Sequence, residues 1–138
     1  MLASEVAEWI GDNITNCSFD TSGVTVNVFI STMPSSPDTV VMVSEYGGTV
    51  DDKNPFSDIN VQARVRGTRD PRVSYNIAKE IFDELQGLTN TTLISSGSRV
   101  IKVVAQNTPI DIGRDDNGRH EWTVNFNIEV RDIGTNRS

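Results

Sequence analysis

His120 is the only histidine in the chain, and it stands beside Glu121 and shortly after Asp115 and Asp116. A histidine next to a carboxylate can serve as a general base, with the carboxylate orienting the ring. Such a base needs a nucleophile, and no serine sits in the Gly-x-Ser-x-Gly elbow that would present one. Charged neighbours are common outside active sites, so His120 reads as an exposed residue at a loop–strand junction. The run Asp111-Ile-Gly-Arg-Asp115-Asp116-Asn117-Gly118 raises calcium. With Gly118 at the sixth position of a calcium loop, Gly113 falls first and Val124 twelfth, and neither has the carboxylate required. Asp-Asn-Gly is instead turn chemistry between two strands. Gly47-Gly48 lacks the following helix of a phosphate site and reads as a turn. Cys17, the single cysteine, allows neither an intrachain disulfide nor a cysteine-based zinc site. No catalytic, cofactor-binding or metal residue is assigned.

One cluster is less ordinary. Arg64, Arg66, Arg69 and Arg72 fall within nine residues of an acidic chain. Two of them flank the start of a predicted helix, where the helix dipole disfavours cations. They read either as solvated charges on a polar strand face or as partners for carboxylates of a neighbouring subunit. A DNA contact is a third option, weakened by the overall acidity.

The elements that would position these residues follow from periodicity. Leu2, Val6, Trp9 and Ile10 line one face of a short helix ended by Gly11. Val24, Val26, Val28 and Ile30 alternate as a strand, and the Met33-to-Asp38 segment breaks it with two prolines. Residues 39–46 form an apolar run expected to be a strand covered on both faces. An exposed loop is expected over residues 47–57, then a strand over 59–66 with one dry and one polar face. Asp70 is placed to cap a helix that Pro71 begins, with Val73, Ile77, Ile81 and Leu85 every four residues and Gly87 closing it. Residues 100–106 read as a strand, 108–120 as a long loop, and 121–132 as a strand of unbroken alternation. The fold class is therefore α+β: a mainly antiparallel β-sheet flanked by an N-terminal helix and one longer central helix, both on one face.

Composition bounds what this domain can be. A chain of 138 residues suits one domain, 1–138, burying about two thirds of its extended surface. Twelve Lys and Arg against nineteen Asp and Glu leave a net charge of −7, which disfavours a general nucleic-acid binder. No window approaches 18 apolar residues, so no membrane span is expected, and the start has no signal-peptide pattern.

The blocks together resemble the tail terminator and minor capsid proteins of long-tailed bacteriophages. The resemblance runs from the N-terminal helix through Glu45-Tyr46-Gly47-Gly48, Val61-Gln62-Ala63-Arg64-Val65-Arg66-Gly67 and Leu85-Gln86-Gly87-Leu88. It continues to Pro109-Ile110-Asp111-Ile112-Gly113-Arg114-Asp115, Gly118-Arg119 and the Trp122-to-Phe126 block. It implies a virion protein made in the host cytoplasm: a hexameric ring, without catalytic residues or cofactor, that caps the tail tube and meets the head–tail connector or stopper protein. DNA would pass through without specific binding. A closing ring needs two different patches on each subunit. The arginines at 64, 66, 69 and 72 facing Asp51, Asp52, Glu80, Asp83 and Glu84 would supply such a pair. The alternatives are another head–tail joining protein or the tube protein itself. More remote are a hydrolase using His120 with Asp115 or Asp116, and a DNA-binding module using the arginines.

Overall fold

The long alternation near the C-terminus becomes the central strand. The computed structural model describes residues 1–19, 27–50 and 55–131. In chain order it contains α1 (Leu2–Asn13), β1 (Val28–Ile30), β2 (Val40–Val50), β3 (Phe56–Arg66), α2 (Pro71–Leu85), β4 (Thr89–Thr91), β5 (Val100–Ala105), β6 (Ile110–Arg114) and β7 (His120–Arg131). The seven strands form one sheet in the order β1-β2-β3-β7-β5-β4, with β6 also paired to β7. Every pairing is antiparallel except β1 with β2. The α+β architecture expected from sequence is the one observed.

Side chains on a strand alternate between faces, so register decides what meets what. Val61 lies opposite Phe126, Ala63 opposite Val124, and Val65 opposite Trp122. Val41 and Val43 continue that face across β2. Ala3, Val6, Ala7 and Ile10 of α1 and Ile77, Ala78, Ile81 and Leu85 of α2 complete one core with these residues. Both helices therefore cover the same face. Neither is long and apolar enough to cross a membrane, nor is any other helix among the described residues.

Local chemistry fixes the helix ends. Asp70 accepts from the Arg72 backbone N–H at 3.0 Å, Pro71 follows it, and Gly87 has φ +89°. α1 has no cap from its own N-terminal residue. Glu45 on β2 supplies one from the sheet, accepting from the Ala3 N–H at 2.7 Å. Buried Glu5 accepts from the Ser98 N–H at 2.5 Å and its hydroxyl at 2.9 Å, tying α1 to the segment before β5.

Four expectations are corrected. The apolar run of β2 is covered on both faces only near its start, and residues 45–50 are exposed. The expected loop at 47–57 is mostly strand, because β2 runs to Val50 and β3 begins at Phe56. Gly47-Gly48 is a bulge inside β2: Gly47 has φ +92°, and a Cβ on Gly48 would lie 1.7 Å from the Asp58 carbonyl oxygen. The expected loop at 108–120 contains β6, hairpinned to β7 through an Asp115–Gly118 turn with Gly118 at φ +77°. Of the strand expected from Val24, residues 24–26 lie outside the described residues.

Ile81 is fully buried between α2 and the sheet. Ile81→Ala should cost about 2–5 kcal/mol, read as a lower denaturant midpoint with an unchanged slope.

Candidate functional site

His120 opens β7, and its side chain lies on the face that carries Trp122 and Val124. It is buried, at 9% exposure, which corrects the expectation of an exposed junction residue. Its carboxylate partner is Asp111 of β6, 2.7 Å from Nε2 across the hairpin, rather than Asp115 or Asp116. An ionised Asp111 only accepts, so His120 carries a proton on Nε2 and donates it. The Gly113 backbone N–H, at 2.8 Å, holds Asp111 below the usual carboxylate range, and His120 adds to this. Among the described residues His120 Nδ1 is buried with no hydrogen-bond partner, as is the Ser74 hydroxyl. His120 rests 5.9 Å from Trp122, centroid to centroid, and Trp122 meets Tyr75 of α2 edge-on at 4.9 Å. This pair pins a hairpin to a helix. Among the described residues no three His, Cys, Asp or Glu side chains gather to hold a metal.

The arginine cluster divides on folding. Arg64 and Glu121 form a bidentate pair across β3 and β7, at 3.1 and 2.8 Å, with the carboxylate nearly buried. Arg66 is buried and donates to the carbonyls of Asp38 and Pro37 at 2.9 and 2.7 Å. Burial lowers its pKa, and the nearby Arg119 charge lowers it further. Arg72 grips its own helix cap, Asp70. Arg69 is exposed, lies over the Gly118 turn and has no ion pair among the described residues. Arg119, absent from the sequence-level candidates, is buried and binds Asp115 at 2.8 Å, Asp38 at 3.3 Å and the Ser35 carbonyl at 2.7 Å. Arg66 and Arg119 together clamp residues 35–38 beside β7. Neither partner set could be seen in sequence, because both Arg66 partners and one of the Arg119 partners are backbone carbonyls.

The carboxylates proposed to face these arginines are dispersed. Asp51 and Asp52 lie outside the described residues. Glu80 accepts from the Thr15 N–H at 2.8 Å; burial, with the Glu80 charge adding to it, pushes the Cys17 thiol up to about 12. Asp83 pairs with Lys79 one turn earlier on α2, and Glu84 is exposed.

Sequence reading passed over the helix-free face of the sheet. There Gln62 stands opposite Asn125 and Asn60 opposite Asn127. Gln62 donates to Asn125 at 3.0 Å, while Asn127 and Gln106 both donate to the Asn60 side-chain oxygen, at 3.1 and 3.0 Å. A ladder of amides therefore runs across β3 and β7 to Gln106, just past β5, on a face that also carries Arg64, Glu121 and Glu129. Its signal was available as amides at alternate positions of two strand patterns.

Asp70 is pulled down to about 2, first by the Arg72 side chain and then by its backbone N–H. A depressed carboxylate contributes stability above its unfolded pKa of about 4 and loses it as pH falls toward the folded value. Asp70→Ala should lower Tm at neutral pH. The gap from the parent should close between about pH 4 and pH 2 in thermal melts.

The geometry is that of a scaffold: ion pairs spent within the chain, a dry helical face and an opposite face of amides and paired charges. No individual curated protein matches the sequence. The family profile described as bacteriophage tail terminator protein matches residues 5–132, nearly the whole chain. Members of that family are structural proteins of the phage tail rather than enzymes. The chain belongs to the bacteriophage tail terminator family.

Proposed function

We propose that the protein assembles into a ring, six copies around, that caps the tail tube, ends its growth and joins it to the head–tail connector or stopper protein. The observation that carries this reading is the family match over residues 5–132. The physics of the chain supports it. Six copies at −7 carry about −42, a charge that repels rather than grips passing phosphates. The amide ladder adds uncharged side chains to the open face, where Arg64 is neutralised by Glu121. DNA then passes through without specific binding.

The charged contacts between copies fall to the groups left over within the chain. Arg69 is the cluster's unpaired cation among the described residues, and Glu84 is an exposed carboxylate on α2. Arg64, Arg66 and Arg72 first hold their own subunit together, as do Glu80 and Asp83.

Tube subunits polymerising in vitro provide the test. Added at a few copies per tube end, the protein should stop elongation, giving short tubes with a cap at one end by negative-stain microscopy. Unchanged tube lengths at saturating protein would contradict the proposal.

A further inference from the structure

The sheet has a stepped outline. With β7 drawn running upward, the lower half reads β1-β2-β3-β7-β6, because β1 pairs with residues 41–43 and β6 with residues 120–123. The upper half reads β2-β3-β7-β5-β4, because β5 pairs with residues 126–130. Each half is five strands wide, and the upper half is displaced sideways by one strand. Such an outline is complementary to a copy of itself shifted by five strands. The shift sets β6 beside β1 of the next copy, and β4 beside the upper part of its β2. Strand directions agree. β6 runs down and β1 up, an antiparallel pair, while β4 and β2 both run up, a parallel pair.

Exposed apolar side chains lie along these margins. Of the six large ones among the described residues, Tyr46 and Val50 sit on the outer stretch of β2, and Val104, Ile110 and Ile112 on β5 and β6; the sixth is Met1. Between the margins the same open face carries the amide ladder. Ile110 lies opposite Thr123 and Phe29 opposite Met42, so both fall on the open face and would meet at the joint. Asp111, the nearest charge on β6, turns to His120 instead. The Gly113 bulge confines the flat edge to residues 110–112, and the Ser18 carbonyl takes the Val28 N–H, so the free edge of β1 starts beyond it. No further strand covers either edge among the described residues. An edge strand of this kind is a template on which another chain can pair.

We infer that the partner of these edges is a second copy of this chain, joined head to tail by β6 against β1 and β4 against β2. Residues Phe29, Ile110 and Ile112 form the apolar centre of the joint. The inference rests on the ring reading and specifies its seam. The interface is heterologous, as a closed ring requires, and the helices of all copies stay on one side of a continuous sheet. Six copies contribute 30 strands at about 4.8 Å spacing, a circumference on the order of 140 Å for strands along the ring axis. That encloses a lumen wider than a DNA duplex.

The test uses the full chain, with oligomer mass read by mass photometry alone and with tail tubes. Ile110→Lys should reduce assembly at least tenfold while circular dichroism stays that of the parent. Phe29→Cys with Ile110→Cys, in a Cys17→Ala background, should give a ladder of covalent oligomers under oxidation. Within one chain these two positions lie on opposite margins and do not meet. Assembly by Ile110→Lys at parental levels, with no covalent ladder from assembled cysteine variant, overturns the seam and leaves the ring standing. A parent chain that stays monomeric even with tail tubes overturns both. If Ile110→Lys fails to fold, the cysteine pair decides by itself.

Discussion

The antiparallel pairing of β3 with β7 is the constraint on which the remaining structure depends. Eleven residue pairs, from Phe56–Arg131 to Arg66–Glu121, form an unbroken ladder at the centre of the sheet. β2 attaches to one side of it, and β5 and β6 share the other. Because alternation has a period of two, a slip of one residue would turn Val61, Ala63, Val124 and Phe126 out of the core. It would also turn the amides in. Burial on one face therefore specifies the register that aligns the amide ladder on the other.

The lower end of this ladder gathers the buried Arg66, Arg119 and Glu121 and the half-buried Arg64. Arg64 holds Glu121, Arg66 holds the backbone at 37–38, and Arg119 bridges Asp115, Asp38 and the Ser35 carbonyl. Buried cations of this kind contribute through satisfied hydrogen bonds rather than net Coulomb energy, and removing one partner leaves the other stranded. The result is a rigid corner joining the proline-containing connection, the α2 N-terminus and the β6–β7 hairpin. A subunit that must meet neighbours in a fixed geometry gains from such rigidity. The His120–Asp111 contact extends it across the hairpin.

Much of this was legible in the residues. The alternation from Trp122 to Val130 announced β7, and Asp70-Pro71 with apolar residues every four announced α2 and its cap. β6 was missed because its five residues are broken by a glycine bulge and carry charges that read as loop. The burial of His120 followed from that miss, since its partner lies nine residues back on the unseen strand. The Gly-Gly bulge in β2 hid a hairpin whose strands extend past it. Clustering of the arginines was visible; their division was not, because the groups that pair them come from residues 37, 38 and 121. The amide ladder needed register, which one-dimensional pattern does not supply. Family membership was legible from the order of short blocks, and the profile match across residues 5–132 agrees with it.

A stepped sheet with a dry helical face and a polar opposite face suits the proposed repetition around an axis. In the proposed ring its acidity belongs to the assembled object, and its arginines mostly to the folding of each copy. The measurement that tests this account most directly is the mass and rotational symmetry of the particle formed at tail tube ends. A closed ring near six times 15.2 kDa, about 91 kDa, with six-fold class averages is the predicted result. A monomer bound at the tube end, or an open filament growing from it, would contradict the account.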